Sequence, residues 1–169
     1  MTKALKSTVV AISVKGGVED AIDDRTADDP LDILHKHTFT DGTGANQAKN
    51  VFHDIRALAG STSEELDLAG GLTDAFGNTI TMTAVKGLII KAASTNGDNI
   101  EVGGSAANGF INWVGDATDK ILIPPGGTFA LIAPDAGGFA VTAGTGDLLK
   151  INNADASGAS YTITILFEE

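Results

Sequence analysis

The chain has 169 residues and a formal net charge of −11, and it contains no cysteine. A surface this acidic repels phosphate backbones, so the composition argues against nucleic-acid binding. Without cysteine, disulfides and thiolate metal sites are excluded. No apolar run approaches the roughly 18 residues that a membrane helix needs, and residues 9–14 are too short for a secretory signal, so we expect synthesis in the cytoplasm and no membrane partner.

The composition predicts a β-rich protein. The chain has 21 glycines, and its short apolar runs are bounded by Gly, Asn, Asp and Pro, as is typical of antiparallel strands joined by turns. We predict an all-β fold with two parts. Residues 38–169 form an antiparallel β-sandwich of jelly-roll type, and residues 1–37 form an extended acidic N-terminal arm.

The arm joins a β-prone run to an acidic tract. Residues 19–32 carry seven acids against one base, Arg25, and such charge runs are usually solvated and often poorly ordered. Asp29 and Pro30 resemble a helix start, which predicts at most two helical turns with Leu31 and Leu34 on one face. We expect the arm to reach an adjacent subunit or the shell and to order on binding, the alternative being a loose tail without a partner. Its candidate interface residues are Val9, Val10, Ile12, Val14, Leu31, Ile33 and Leu34.

The segment at residues 46–59 fits two patterns. Phe52, Ile55 and Leu58 would share a helical face, yet the same stretch also alternates as a strand does, and periodicity leaves the choice open. Short strands are predicted on either side, at residues 38–40 and 65–68. Residues 72–77 predict a helical turn that ends at a glycine, and a further strand begins at Ile80.

The central stretch, residues 84–134, predicts several strands with a tight hairpin turn at Asn96 and Gly97. Residues 110–114, 120–123 and 128–133 are among these strands. The last strand, residues 161–167, alternates most clearly. We predict as core residues Phe129, Leu131, Ile163, Ile165 and Phe167.

Motifs for catalysis or metal binding are incomplete. His35 and His37 could form two ligands on a strand, but no third ligand stands at a fixed spacing, so we interpret them as an exposed pair. His53 beside Asp54 lacks a nucleophile, and no Gly-x-Ser-x-Gly motif occurs. We therefore predict no catalytic residues, no metal and no cofactor.

Two further features have ordinary interpretations. Asn153, Asp155 and Ser157 match the opening of a calcium loop, but the closing acid would fall on Thr164, so we predict a hairpin turn instead. Trp113 and Tyr161 could stack against sugars, although single aromatic residues in alternating strands are more often core.

Seven segments between residues 39 and 149 are turn and strand-edge signatures and include no chemical motif. They are Phe39-Thr-Asp-Gly-Thr-Gly-Ala-Asn-Gln, Leu66-Asp-Leu-Ala-Gly, Leu72-Thr-Asp-Ala-Phe-Gly, Lys91-Ala-Ala-Ser-Thr-Asn, Pro125-Gly-Gly, Ala133-Pro-Asp and Val141-Thr-Ala-Gly-Thr-Gly-Asp-Leu-Leu. Through these segments the chain, from about residue 39 to 167, resembles a family of small phage virion proteins encoded near the head genes.

The resemblance implies a jelly-roll capsid decoration, or cement, protein. Such proteins sit as homotrimers on the outer shell, so the implied partners are other copies of the chain and the major capsid protein, and the implied location is the virion surface. The resemblance also favours a strand at residues 46–59. The alternative function is a β-sandwich binding module of a phage tail, baseplate or fibre that recognises a receptor or glycan.

Overall fold

The computed structural model describes residues 4–169, and in this range the chain forms strands and turns without a helix. The all-β prediction is confirmed. The strands are β1 (Thr8–Ile22), β2 (Arg25–Asp41), β3 (Gln47–Ala48), β4 (Asn50–Leu58), β5 (Thr62–Asp67), β6 (Ala84–Ala92), β7 (Ile100–Gly103), β8 (Lys120–Ile123), β9 (Thr128–Ile132), β10 (Phe139–Ala140), β11 (Leu148–Asn153) and β12 (Ala159–Glu168).

Two antiparallel sheets form the body of the protein. The first has the order β10-β6-β12-β4, with β9 also paired to β6, and the second has the order β5-β11-β7-β8. Their facing side chains make one apolar core, an arrangement consistent with a β-sandwich. The jelly-roll connectivity stays a prediction.

Strand β12 lies at the centre of the first sheet and pairs with both β4 and β6. Its residues Ile163, Ile165 and Phe167 have no exposed surface, so their prediction as core residues is confirmed. Phe129 and Leu131 point to the same core but are only half-buried. The reason is that β9 is an edge strand, which pairs with β6 on one side and has no strand of the described chain on its other side.

The ambiguous segment at residues 46–59 is mainly a strand. Strand β4 pairs with β12 along its whole length, from Asn50 opposite Phe167 to Leu58 opposite Ala159. A helix here would have left the backbone groups along one edge of β12 without these partners. The long-range pairing therefore decides between two patterns that are equally satisfied locally.

The predicted helix at residues 29–34 is wrong, because these residues belong to β2. Asp29 lies opposite Val18 and Pro30 lies opposite Gly17 in an antiparallel ladder with β1. Leu31 and Leu34 consequently lie on opposite faces of the ribbon, since strand side chains alternate. Cross-strand pairing with β1 outweighs the local helix-start signal.

The predicted helical turn at residues 72–77 is also wrong. The carboxylate of Asp74 accepts hydrogen bonds from the backbone amides of Phe76 and Asn78, which makes a side-chain-closed turn. A bridge between Thr73 and Thr79 closes the loop behind it. The strand expected from Ile80 begins later, at Ala84.

The strand expected at residues 110–114 is a series of turns held by side chains. The indole nitrogen of Trp113 donates to the carbonyl of Phe110 at 2.8 Å. The hairpin expected at Asn96 is instead a crossover, because β6 and β7 lie in different sheets. The side chain of Asn96 is buried and hydrogen-bonds both backbone groups of Ser160, which anchors this crossover to β12.

Candidate interaction surface

Strands β1 and β2 form a long two-stranded ribbon, here called the arm. They pair without interruption from Thr8 opposite Phe39 to Ile22 opposite Arg25, and every residue from 11 to 36 is exposed. The exposed part of β1 is roughly 35 Å long at strand spacing. The predicted boundary at residue 37 lies inside β2.

The root of the arm packs on the body. Val10 and Phe39 are buried together with Ala48 of β3 and Leu166 of β12, and the half-buried side chains of Leu5, Ile89 and Ile132 pack around them. This cluster is separate from the main core and lies on the other side of the first sheet. The arm is therefore attached to the body by apolar packing.

Polar contacts add to the root. The Leu5 amide donates to the carboxylate of Asp41 at 3.1 Å, and the Lys49 ammonium lies 3.3 Å from the same carboxylate. These two contacts lower the pKa of Asp41, with the amide hydrogen bond the larger cause. Asp41 therefore stays ionised where the arm leaves the body.

One face of the arm carries most of its exposed apolar side chains, together with the charged side chains of Asp20, Arg25 and Asp29 towards the tip. Residues directly opposite in an antiparallel pair share a face, and residues two apart along a strand do so too. The register therefore continues the face of Val10 and Phe39 towards the tip. The exposed apolar side chains on that face, here called the apolar strip, are Ile12, Val14, Val18, Ile22, Leu31 and Ile33.

The opposite face of the arm is polar. On this face Lys15 and Asp32 form an exposed ion pair at 3.1 Å. Nearer the tip of the arm, Glu19 and Asp28 lie directly opposite each other on the same face. Exposed pairs of this kind contribute little stability. The arm is thus amphipathic, although neither of its faces is covered beyond the root.

The seven predicted interface residues divide among three environments. Ile12, Val14, Leu31 and Ile33 lie in the apolar strip, whereas Val10 is buried in the root and has no free surface to offer. The remaining two, Val9 and Leu34, lie on the polar face.

Sequence reasoning missed Val18 and Ile22, which continue the apolar strip past the glycine pair at residues 16–17. Their signal was available, since apolar residues recur at every second position from Val10 to Val14 and again at 18 and 22. The acidic residues between them obscured the alternation.

A second apolar surface lies on the body. The outward side chains of β4, β6, β9 and β12, here called the outer sheet face, are small, β-branched or aliphatic, and they include one formal charge. They are Val51, His53, Ile55, Ala57, Gly87, Ile89, Lys91, Thr128, Ala130, Ile132, Ser160, Thr162, Thr164 and Leu166.

The root of the arm covers one end of the outer sheet face, at Leu166 and the half-buried side chains of Ile89 and Ile132. Beyond it, Ile55 is 74% exposed, and a shallow depression of about 210 Å³ is lined by residues that include Ile55, Lys91 and Thr162. His53 and Thr164, which are opposite each other, are joined by a 2.8 Å hydrogen bond between Nδ1 and Oγ1. This part of the face is open to a partner.

A polar cluster links the two sheets at one end of the core. The hydroxyl of Tyr161 in β12 donates to Glu64 in β5 at 2.8 Å, and the Arg56 guanidinium binds the other oxygen of Glu64. Glu64 raises the pKa of Arg56. Burial, and then the hydrogen bond to Glu64, raises the pKa of Tyr161. The cluster keeps Tyr161 neutral, and it holds the sheets together.

The structure gives no support to the metal patterns. Among residues 4–169, no three His, Asp or Glu side chains are placed to share a metal ion. In the calcium-like loop, the Asn153 amide donates to the carbonyls of Ala59 and Ser157, while its oxygen accepts from the Asp155 amide. Its polar atoms thus close the turn. Within the same residues no helix is long and apolar enough to cross a membrane.

The two aromatic residues considered for sugar stacking are occupied within the fold. Trp113 is half-buried and packs on Phe129, with ring centroids 5.7 Å apart. Tyr161 is 1% exposed. Tyr161 therefore has no surface free for a glycan, whereas Trp113 keeps part of its surface exposed.

Comparison with known proteins finds little similarity. The sequence matches no protein-family profile and no curated protein. Among solved structures, the chain has a weak similarity to a chain from the structure described as "Bacillus endospore appendages form a novel family of disulfide-linked pili", with a TM-score of 0.32 and 16% sequence identity. The match covers 73% of this chain and 92% of that chain.

Proposed function

We propose that this protein is a capsid decoration, or cement, protein of a phage head. It binds the outer surface of the shell through its arm and stabilises contacts between copies of the major capsid protein. The role is structural and not catalytic, and the protein acts as a homotrimer at the virion surface after synthesis in the host cytoplasm.

The observation that carries this proposal is the exposed, amphipathic arm. Residues 11–36 contribute no side chain to the core, yet six of them form the apolar strip. A protein that works alone gains nothing from such a surface, whereas exposed apolar patches typically mark interaction sites. The resemblance of residues 39–167 to phage virion proteins supports a phage head as the assembly to which this surface binds.

Electron cryomicroscopy of intact particles tests the location. We expect density for the β body on the outside of the head, with the arm in contact with the shell or an adjacent subunit. Density on the tail, baseplate or fibre would contradict the proposal and support the binding-module alternative.

A shortened arm tests the attachment. Replacing residues 14–33 by Asn-Gly joins Ser13 to Leu34, which are directly opposite, through a turn suited to a hairpin. The root residues Val10 and Phe39 remain, so the body should fold with an unchanged melting temperature. We expect this variant to lose binding to undecorated particles. Binding as tight as that of the full chain would show that the arm is not the attachment element.

A further inference from the structure

Two apolar surfaces of the same chain lack a covering element within residues 4–169. They are the apolar strip of the arm and the outer sheet face beyond Leu166. We propose that they are partners in trans: the arm of one copy lies with its apolar strip on the outer sheet face of a second copy.

The root of the arm already contains a contact of this kind. Val10, from the apolar face of β1, is buried in one apolar cluster with Leu166, from the outer face of β12. The next outward residues on each surface are Ile12 on the arm, which is 46% exposed, and Thr164 on the sheet, which is half-buried. An arm from a second copy would therefore extend an apolar contact that the chain makes with itself.

The charges of the two surfaces are complementary. Residues 16–30 of the arm hold six carboxylates and one arginine, and Asp20, Asp29 and Arg25 lie on the same face as Val18, which leaves that face acidic by one charge. In a chain of net charge −11, most surfaces repel this segment. The outer sheet face is different, because its one formal charge is the exposed ammonium of Lys91.

The size of the contact favours a closed assembly. A ribbon about 10 Å wide that overlaps a sheet face for about 25 Å buries roughly 500 Å² in total, counting both partners. One such contact is well below the ~1,200 Å² of a stable interface. In a ring each copy makes two contacts, one through its arm and one through its sheet face, so about 1,000 Å² must be exposed to remove one copy. A ring in which each copy donates one arm and receives one is thus favoured over a single contact.

This association does not depend on the phage-head role. If the arm fails to bind a second copy, the proposed function stands and the shell becomes the partner of the arm. Failure to find the protein on phage heads would likewise leave the contact between copies untouched.

Cross-linking between single cysteines tests the contact, since the chain has no cysteine of its own. A chain with Val14→Cys and a size-tagged chain with Ile55→Cys are mixed and treated with a short bismaleimide. We expect a mixed, tagged–untagged dimer as the main product. The matched control is Leu34→Cys, on the polar face of the arm, which should give at least several-fold less of the mixed dimer.

Four outcomes would overturn the proposal. They are the absence of a cross-link, equal yields from Leu34→Cys and Val14→Cys, a dominant Val14→Cys self-dimer, and a concentration-independent cross-link within one chain that carries both Val14→Cys and Ile55→Cys. The third outcome means that arms pair with each other, and the fourth means that the arm folds onto its own sheet. Sedimentation velocity gives a second readout, because Ile55→Asp should shift the protein towards monomer without changing its circular dichroism.

Discussion

The ammonium of Lys86, which has no exposed surface, lies 3.3 Å from a carboxylate oxygen of Glu168 at the end of the central strand. Lys86 also donates to the backbone carbonyl of Asp135. The contact with Glu168 is an ion pair without hydrogen-bond geometry, since that oxygen has no hydrogen-bond partner among residues 4–169. The register shift between Leu166 and Phe167 leaves Lys86 unpaired in the ladder with β12. This register shift, a β-bulge, thus lies next to the buried charge of Lys86, which is compensated by Glu168.

Removing this lysine should strongly destabilise the fold. Lys86→Met leaves the Glu168 carboxylate without its counter-charge, and breaking a buried pair on one side costs about 3–5 kcal/mol. The double variant Lys86→Met with Glu168→Gln should recover part of the loss, because no unpaired charge remains. Urea unfolding of the three proteins measures the free energies. A Lys86→Met variant as stable as the parent would show that the pair does not matter.

Tyr161 should make the fold sensitive to alkaline pH. Its pKa is raised in the folded state from an ordinary value of 10.0, so the stabilisation is complete below about pH 10. Above that pH the unfolded chain ionises its tyrosine while the folded chain does not, and the free energy of unfolding falls. Because Tyr161 is the only tyrosine, tyrosinate absorption reports on it directly.

We expect the native protein to show no tyrosinate absorption at a pH where the urea-unfolded chain is already ionised. Tyr161→Phe should lose less stability than the parent between pH 9 and pH 11. Tyrosinate appearing in the folded protein near pH 10 would contradict the proposed protection by burial and by Glu64.

Two isoleucines test the assignment of faces in the first sheet. Ile165 has no exposed surface, so Ile165→Ala should cost about 2–5 kcal/mol. Ile55 on the outer sheet face is 74% exposed, and Ile55→Ala should change the stability by about 0.5 kcal/mol or less at concentrations where the protein is monomeric. Thermal melting compares the two variants, and equal effects would mean that the faces are wrongly assigned.

Two glycines make a second matched pair. A Cβ at Gly60 would clash with the backbone carbonyl of Ala156, whereas a Cβ at Gly16 would meet no atom within 4 Å. Gly60→Ala should therefore cost about 1–3 kcal/mol, as overpacking does, and Gly16→Ala should leave the stability unchanged. Denaturant midpoints distinguish them. A tolerated Gly60→Ala would show that the loop at residues 155–157 moves aside without cost.

Binding through the arm should depend on salt. The acidic tract docks in part by charge, and screening shortens the range of that attraction as ionic strength rises. We expect the affinity for undecorated particles to fall as sodium chloride increases, while the shortened-arm variant shows no specific binding to lose. An affinity independent of salt would assign the binding to the apolar strip alone.

The sequence by itself determined the β character of the protein, since alternating side chains and glycine-rich turns are local properties. The inward face of β12 was predicted correctly because Ile163, Ile165 and Phe167 alternate without interruption. The absence of cysteine and the acidity of the arm also follow from the sequence alone. The alternation that defines the apolar strip of the arm is also present in the sequence. Val18 and Ile22 were not predicted as part of it, because acidic residues lie between them.

Only the tertiary structure decided which local signals prevail. Asp29 and Pro30 match a helix start, but pairing with β1 satisfies the backbone of this segment as a strand. The outer sheet face could not be predicted, because Val51, Ile55 and Lys91 come from separated strands and become neighbours only through the order β6-β12-β4. Cross-strand register depends on contacts between residues far apart in the chain, and no local pattern encodes it.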